Sequence, residues 1–172
     1  MYVIVDVETT GGLKGNTRII EIALYRHDGN EVIDSFQSLI QPQTWIPPFI
    51  TAPTGINQSM LAEAPLFEEV ADRVRAITKD AWFVAHNASF DYGFVKKEFA
   101  WLDEYFERDK LCTVQLSRKI FPGLPSYSLP KLCRSLAIKH QSQHRAAGDA
   151  EATVKLFDLL LTHDVRKLIP RY

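Results

Sequence analysis

The order of apolar and polar residues predicts three β-strands at the start of the chain. Residues 2–8 form a short apolar run that ends in acidic residues, and residues 18–25 and 32–40 are two further segments rich in β-forming residues. Between the last two segments, residues 27–30 contain an Asp-Gly pair, which suits a tight hairpin because glycine tolerates positive φ. We therefore expect the second and third strands to pair antiparallel.

The middle of the chain changes from a loop-like composition to alternating helix and strand. Residues 41–59 hold four prolines and one glycine, which predicts a long irregular connection. A helix is then expected to begin at Pro65, and residues 82–85 have the continuous apolar composition of a buried strand. The apolar stripe that predicts this helix consists of Phe67, Val70, Ala71, Val74 and Ile77.

The second half of the chain continues this alternation. The sequence predicts a helix over residues 89–102, a short strand at Leu111 and Cys112, and a final helix over residues 146–161. Further helices are expected over residues 114–120 and 128–136, separated by Gly123, Leu124 and Pro125. The inward face of the final helix is expected to consist of Ala150, Val154, Phe157 and Leu161. Three antiparallel strands followed by strands that alternate with helices predict an α/β fold with a mixed five-stranded sheet flanked by helices.

Length and composition narrow the class of protein. The chain has 172 residues, of which 46% are apolar, and these values fit one domain over residues 1–172 that folds without disulfides or a structural metal. Cys112 and Cys133 stand in apolar contexts and are too few for a disulfide framework or a zinc cluster. The first apolar run is too short to span a membrane and follows no basic segment. We therefore expect a cytoplasmic protein with reduced cysteines and no membrane partner.

The net charge of −1 gives no sign of nucleic-acid binding and argues mildly against a long duplex footprint. The four carboxylates considered below contribute −4 to this total, so the other residues sum to +3. The composition therefore permits a short polyanionic substrate that is held through metal ions.

Asp6 and Glu8 are the first candidate functional residues. Alternate side chains of a strand share a face, so these two carboxylates project together from the end of the first strand. Like charges this close repel unless a cation lies between them, and oxygen ligands favour hard ions such as Mg²⁺ or Mn²⁺. An Asp-x-Glu at a strand end is also compatible with a solvated turn, but residues 9–12, Thr-Thr-Gly-Gly, supply hydroxyls and flexible backbone suited to a ligand.

A second segment, residues 84–91, places polar residues where a buried strand ends and a helix begins. Asn87 or Ser89 is expected to cap that helix, whose first turn holds Asp91. The helix dipole by itself explains an acidic residue there. His86 by itself is more readily explained as a hydrogen-bonded structural residue than as a catalyst.

A third segment, residues 143–150, places His144 just before the final helix and Asp149 near its beginning. A neutral imidazole titrates near pH 6.5 and accepts a proton from a neighbouring water near neutrality. Taken alone, His144 is more readily explained as a surface histidine, as are His27, His140 and His163. Strand ends and helix starts are the usual place for sites in open α/β sheets, so the three segments together predict two-metal phosphodiester hydrolysis.

In this order, the three segments resemble the motifs of the DnaQ-like exonucleases of the DEDDh group, typified by the proofreading epsilon subunit of bacterial DNA polymerase III. Residues 6–11, 86–91 and 144–150 are similar to the first, second and third motifs of that family, and the match covers nearly the whole chain. The resemblance implies a ribonuclease H-like fold, two Mg²⁺ or Mn²⁺ ions, and release of nucleoside 5′-monophosphates from a 3′ end. It further implies that the metals are held by Asp6, which bridges both, with Glu8, Asp91 and Asp149, and that His144 is the general base.

The same resemblance implies a nucleotide pocket. Residues 54–56, Thr-Gly-Ile, are similar to the family's His-Gly-Ile segment, which would place Ile56 against the terminal base. Thr54 departs from the family's histidine and leaves a side-chain contact at that position open. Phe90 would also line the pocket, although it is equally well explained as a core residue of its helix. The other substrate-binding residues that we predict are Thr9, Thr10 and His86.

The predicted function is a metal-dependent 3′–5′ exonuclease that acts on nucleic acid with a free, single-stranded or frayed 3′ end, in DNA proofreading, repair or end trimming. DNA and RNA both remain open as substrates, because we identify no residue that reads the 2′-hydroxyl. The alternative is a non-catalytic module that binds nucleic-acid ends or a polymerase. The resemblance also points to a DNA polymerase partner. However, the chain ends soon after its final helix, without the tail by which the epsilon subunit holds its polymerase, and this argues against membership of a replicase.

Overall fold

A five-stranded mixed sheet forms the centre of the computed structural model, which describes residues 1–141 and 143–171. The strands are β1 (Tyr2–Thr9), β2 (Ile19–His27), β3 (Val32–Leu39), β4 (Trp82–Ala85) and β5 (Lys110–Cys112). They lie in the order β3-β2-β1-β4-β5, with the first three strands antiparallel, β4 parallel to β1, and β5 parallel to β4. The expected mixed sheet is confirmed.

The register of β1 and β2 determines which polar side chains face one another. Glu8 lies directly opposite Glu21, immediately before a shift of register between the two strands. Because side chains alternate along a strand, Asp6 and Glu8 face the same side of the sheet as Tyr2 and Ile4. Three carboxylates of neighbouring strands therefore share one face at the end of β1.

The helices cover both faces of this sheet. Their bounds are α1 (Pro48–Thr54), α2 (Gln58–Ala62), α3 (Phe67–Thr78), α4 (Ala88–Trp101), α5 (Thr113–Ile120), α6 (Leu129–Ser135) and α7 (Ala146–His163). The helices predicted after residue 65 are confirmed, with ends that differ by one or two residues. In α3, four of the five residues of the predicted stripe are buried, and Val70 is partly buried against the same core.

The prediction of an irregular connection over residues 41–59 is wrong, because α1 and the start of α2 lie there. Pro48 occupies the first turn of α1, where its missing N–H costs no helical hydrogen bond. Gly55 ends α1 with a left-handed φ of 69°. The segment also contributes to a small apolar cluster that packs on β2 and consists of Ile20, Ile46, Ile56 and Leu61. Tertiary packing outweighs the local signal of the prolines.

Separate apolar clusters lie on the two faces of β1. On one face, Val3, Val5 and Val7 pack with α3 and α4. On the other face, Tyr2 and Ile4 pack with α5, α6 and α7. Helices α4 and α7 therefore lie on opposite sides of β1, and each begins near the end of that strand.

Three smaller expectations have different outcomes. Cys112 and Cys133 are free thiols, half-buried and buried respectively, as expected. His163 is exposed, as expected, but the surface position expected for His27 is wrong. The His27 side chain is only 1% exposed, because it ends β2 on the face that α7 covers, and its Nε2 lies 2.9 Å from Asp158 Oδ1. In the described part of the chain, no helix combines the length and apolar character needed to cross a membrane.

Candidate metal centre

Three carboxylates meet where β1 ends and α7 begins. Asp6, Glu8 and Asp149 each offer one oxygen, and these oxygens all lie within 4.8 Å of one another. Asp6 and Glu8 reach this point from the same face of β1, whereas Asp149 reaches it from the first turn of α7. The structure thus brings together residues that are more than 140 positions apart in the sequence.

Asp91 lies beside this group, in the first turn of α4. Its side chain is buried, and its Oδ1 accepts a hydrogen bond of 3.2 Å from the main-chain N–H of Val7, the residue between Asp6 and Glu8. The negative charge of Asp91 acts on Asp6. A fourth carboxylate therefore borders the space that the other three enclose.

Burial and crowding raise the pKa values of three carboxyl groups at this site, those of Asp6, Glu8 and Asp91. For Asp6, burial is the main cause of a pKa well above its ordinary value, and the charges of Asp91 and Asp149 add to the shift. Burial, followed by the charges of Asp149 and Glu21, raises the pKa of Glu8 to about 7. Burial also raises the pKa of Asp91 to about 7, even though main-chain N–H groups favour its ionised form. The site resists ionisation unless positive charge is supplied.

The donor atoms of this site fit a hard divalent cation. The group offers only carboxylate oxygens, which suit Mg²⁺ or Mn²⁺ better than a soft metal. A divalent cation favours the ionised carboxylates and so opposes the burial and the repulsion that raise the pKa values of Asp6, Glu8 and Asp91. The four side chains therefore have the chemistry of a metal centre.

Glu21 fastens the start of α7 to β2. Its carboxylate accepts hydrogen bonds from Arg145 Nε at 3.1 and 3.2 Å, from Arg145 Nη2 at 2.7 Å, and from the Ala146 N–H at 2.8 Å. These bonds serve a helix start that has no side-chain cap of its own. We call Glu21, Arg145 and Ala146 the α7 clamp. Sequence reasoning missed it, although a lone carboxylate within an apolar strand signals a buried partner.

A second clamp with the same hydrogen-bond pattern fastens α4 to β2. Glu98 accepts hydrogen bonds from Arg18 Nε at 3.1 Å, from Arg18 Nη2 at 2.7 Å, and from the Ile19 N–H at 2.9 Å. The Arg18 guanidinium also lies 3.9 Å from the centroid of the Trp101 ring. We call Arg18, Ile19 and Glu98 the α4 clamp. Both helices that carry a site aspartate are thus tied to the first residues of β2.

Two histidines approach Asp149 from the segment before α7. His140 Nε2 lies 2.5 Å from Asp149 Oδ1, and the His140 side chain is only 4% exposed. The expectation of a surface position for His140 is therefore wrong, because its ring turns inward to the aspartate. Among residues 1–141 and 143–171, no hydrogen-bond partner is found for His140 Nδ1. His144 is exposed with a left-handed φ of 61°, and its main-chain N–H donates to Asp149 Oδ2 at 3.3 Å.

The predicted substrate-binding threonines are buried and form hydrogen bonds within their own loop. Thr9 Oγ1 donates to the Gly11 carbonyl at 2.7 Å, and Thr10 Oγ1 accepts from the Arg18 N–H at 2.9 Å. These bonds shape the loop between β1 and β2 next to Glu8.

His86 and the helix start that follows it are also held by the protein. His86 Nδ1 lies 2.9 Å from Thr113 Oγ1, and His86 Nε2 lies 2.9 Å from the Tyr127 carbonyl oxygen. Burial lowers the pKa of His86. The expected capping of α4 is not observed, because Asn87 takes a left-handed φ of 75° at the helix start and its side chain makes no capping bond.

The remaining pocket residues differ in exposure. Ile56 is fully buried in the cluster that packs on β2, whereas Phe90 is half-buried with its ring centroid 5.0 Å from that of Phe94. Thr54 Oγ1 donates to the Ile50 carbonyl at 2.7 Å and accepts from the Ile56 N–H at 3.1 Å. The side chain at position 54 therefore closes the end of α1.

The sequence of this chain is similar to the sequences of known proteins. The family model described as exonuclease matches residues 3–157. The PolC-type DNA polymerase III of Caldanaerobacter subterraneus is 39% identical over 160 residues, which are 93% of this chain and 11% of the polymerase. The 3′–5′ exonuclease DinG of Staphylococcus epidermidis is 42% identical over 156 residues, which are 90% of this chain and 17% of that protein. The chain thus spans less than a fifth of the length of these relatives.

Solved structures share the fold over almost the whole chain. Exonuclease X in complex with 5′ overhanging duplex DNA has a TM-score of 0.78 and 29% identity, with coverage of 95% of this chain and 93% of the other. The nuclease domain of 3′hExo, a DEDDh family member bound to rAMP, has a TM-score of 0.81 and 16% identity, with coverage of 95% and 92%. The latter likeness supports the fold alone.

Proposed function

Because this chain belongs to the exonuclease family, we propose that it removes nucleotides one at a time from the 3′ end of a nucleic acid with two divalent cations, Mg²⁺ or Mn²⁺. The products are nucleoside 5′-monophosphates. The observation that carries this proposal is the convergence of the carboxylate oxygens of Asp6, Glu8 and Asp149 beside Asp91, a donor set that suits hard divalent cations.

In this proposal, the carboxylates hold the cations and His144 handles the proton. Asp6, Glu8, Asp91 and Asp149 would hold the two cations through their carboxylate oxygens. Two cations in such a site help to activate water and stabilise charge on the leaving oxygen. An imidazole nitrogen of His144 takes a proton from the attacking water. The water oxygen bonds to the terminal phosphorus while the bond from phosphorus to the preceding 3′ oxygen breaks, and that oxygen remains on the shortened strand.

We further propose that the terminal nucleotide lies between the β1–β2 loop and the start of α4. Thr9 and Thr10 contribute hydroxyl and main-chain groups near the sugar and phosphate. Phe90 offers a partly exposed ring, and Ile56 lies in the apolar cluster beneath the base. His86 supports the pocket through its two hydrogen bonds to neighbouring segments.

The proposed substrate is DNA with a single-stranded or frayed 3′ end. Two findings support DNA: one relative is a DNA polymerase, and the exonuclease X structure contains duplex DNA with an overhang. The PolC-type relative also supports a DNA polymerase as the partner of this exonuclease. We propose that residues 1–172 act as one exonuclease domain in the cytoplasm.

The direct test follows cleavage of 5′-labelled single-stranded DNA and RNA of the same sequence. With Mg²⁺ or Mn²⁺, the wild-type protein is expected to shorten DNA from its 3′-hydroxyl end and to release mononucleotides. EDTA and a 3′-phosphate block are expected to stop the reaction. Faster shortening of RNA than of DNA would overturn the proposed substrate while leaving the proposed reaction in place.

Substitution of one carboxylate separates an enzyme from a non-catalytic binding module. Asp6→Asn is expected to abolish cleavage, whereas Asp34→Asn, which changes a surface carboxylate paired with Arg73, is expected to leave it intact. If wild-type protein binds 3′ ends but never cleaves them, the enzymatic proposal fails and the binding module replaces it.

A further inference from the structure

Basic residues are strongly concentrated in one stretch of this nearly neutral chain. Residues 110–148 contain seven Lys and Arg and no Asp or Glu. The rest of the chain therefore holds thirteen Lys and Arg against all twenty-one Asp and Glu. The net charge of −1 conceals a basic segment that leads directly to Asp149.

Five cations of this stretch are exposed. Within the residues that the structure describes, none of the five forms an ion pair or a side-chain hydrogen bond with another residue. By contrast, Arg18, Arg73, Arg75 and Arg145 are all paired with carboxylates. We call the five residues the basic surface; they are Arg118, Lys119, Lys131, Arg134 and Lys139.

The segment that carries the basic surface contacts residues around the candidate metal centre. Its first part follows Thr113, whose hydroxyl lies 2.9 Å from the ring of His86 at the end of β4. The loop between α5 and α6 returns to the same histidine through the Tyr127 carbonyl oxygen. Its last part leads to His140, whose ring contacts Asp149. The segment is therefore held against the site at three points along its length.

Helix electrostatics explain only part of this pattern. Arg118, Lys119 and Arg134 lie in the last turns of α5 and α6, where a cation interacts favourably with the helix dipole. Lys131 and Lys139 do not have this position. Lys131 and Arg134 are three residues apart on α6, so their side chains lie on the same face of that helix. Helix stability also does not explain why residues 110–148 contain no Asp or Glu.

We propose that the basic surface binds the phosphate backbone of the substrate strand upstream of its 3′-terminal nucleotide. This inference rests on the proposed exonuclease function, because that function places a polyanionic strand at the neighbouring metal centre. A surface with five exposed cations attracts such a strand, and the contacts of its segment with the site guide the 3′ end inward. The basic surface thus binds a strand with several nucleotides upstream of its 3′ end and does not bind a single nucleotide.

The test compares two triple variants with the same change of net charge. Lys131→Gln/Arg134→Gln/Lys139→Gln removes part of the basic surface. Lys79→Gln/Arg166→Gln/Lys167→Gln removes three exposed cations from the opposite end of β4 and from beyond the end of α7. Binding of a fluorescent single-stranded DNA of about 20 nucleotides is measured by anisotropy in EDTA over a series of salt concentrations, since release of counterions makes phosphate contacts salt-dependent.

The basic-surface variant is expected to raise the Kd for the long strand about tenfold or more at low salt, because three phosphate contacts are lost. The slope of log K against log salt is expected to shrink by about 2, from about 0.7 for each lost contact with a single strand. The control variant is expected to keep both values near those of the wild type. Equal effects of the two variants would contradict strand binding by the basic surface and would indicate a general effect of net charge.

A small substrate distinguishes this inference from the proposed function. Hydrolysis of the p-nitrophenyl ester of thymidine 5′-monophosphate requires the metal centre but offers no upstream phosphates. The basic-surface variant is expected to hydrolyse it at the wild-type rate while its KM for the long strand rises. If the wild-type protein cleaves neither substrate, the proposed function fails. The binding measurements alone then still show whether the basic surface binds the strand.

Discussion

Helices α4 and α7 each bring one aspartate to the end of β1, but they are held there by different kinds of contact. Only two residues separate the end of β4 from the start of α4, and Asp91 is buried against the Val7 N–H. Helix α7 follows a longer connection, in which His140 and His144 both contact Asp149 through polar groups. Asp91 thus contacts the main chain of a core strand, whereas Asp149 contacts polar groups of the segment that precedes α7.

The two clamps make this contrast sharper, because they share one hydrogen-bond pattern in different surroundings. In the α4 clamp, the side chains of Arg18 and Glu98 are 20% and 1% exposed. In the α7 clamp, those of Arg145 and Glu21 are 38% and 8% exposed. We therefore expect changes on the α4 side to affect mainly stability and changes on the α7 side to affect mainly activity.

The largest effect is expected from His144→Ala. Loss of a general base lowers kcat by about 10²–10⁴-fold, while the melting temperature stays the same because the His144 side chain is exposed. Steady-state kinetics and thermal melting measure the two quantities. His163→Ala, at the other end of α7, is the matched control. A His144→Ala variant with wild-type kcat would remove this residue from the reaction.

The clamps are expected to separate stability from activity. Arg18→Met leaves the carboxylate of Glu98 buried and unpaired, which lowers the free energy of unfolding by about 3–5 kcal/mol. Arg145→Met is expected to lower the free energy of unfolding by about 2 kcal/mol, because its partner Glu21 is more exposed to solvent than Glu98. For the same loss of stability, Arg145→Met is expected to lower kcat more than Arg18→Met does. Urea unfolding and kinetics on the same preparations provide both values. If Arg18→Met and Arg145→Met show the same ratio of lost activity to lost stability, the proposed difference between the two clamps is wrong.

His140→Ala is expected to weaken metal binding without removing a metal ligand. A residue that orients a ligating carboxylate contributes about 10–100-fold to metal affinity, so the Mn²⁺ concentration needed for half-maximal activity rises by that order. His140→Gln, which keeps a hydrogen-bond donor near Asp149, is expected to recover part of the loss. A lower melting temperature with unchanged Mn²⁺ dependence would show that His140 has only a structural role.

The smallest effect concerns the stability of the metal-free protein as a function of pH. The pKa values of Glu8 and Asp91 rise from 4.5 and 3.8 to about 7 on folding, mainly through burial. The folded protein therefore keeps protons that the unfolded chain releases, so stability is greatest at low pH and is lost as pH rises through about 7. In EDTA, the melting temperature is expected to fall by several degrees between about pH 5.5 and about pH 8.

Divalent cations provide the control for this pH dependence. Saturating Mn²⁺ is expected to raise the melting temperature more at about pH 8 than at about pH 5.5, because bound metal favours the ionised carboxylates. A melting temperature in EDTA that rises over this range would contradict the burial of these groups in their protonated form.

The sequence predicts the local features of this molecule better than its long-range pairings. The alternation of Asp6 and Glu8 on one strand, and the positions of Asp91 and Asp149 in the first turns of helices, follow from residue periodicity and helix signals. Their meeting at one point follows from the rule that strand ends and helix starts share an edge of the sheet.

The contacts that the sequence does not reveal are those between distant residues. Glu21 and Arg145 are 124 positions apart, and no periodicity connects them. The inward turn of His140 depends on the path of the segment before α7, which local propensity does not determine. Helix α1 is likewise not predicted, because Ile50 packs against a cluster that contains Ile20 of β2, a contact outside its own segment.

The central claim is that the carboxylates at the end of β1 form one centre for two divalent cations. Mn²⁺ bound to the protein in the presence of thymidine 5′-monophosphate is counted by electron paramagnetic resonance for the wild type, Asp6→Asn and the surface control Asp34→Asn. Two ions per chain are expected for the wild type and the control, and Asp6→Asn is expected to lose tight binding of both. Mn²⁺ binding that is absent from the wild type, or that Asp6→Asn leaves unchanged, would contradict the claim.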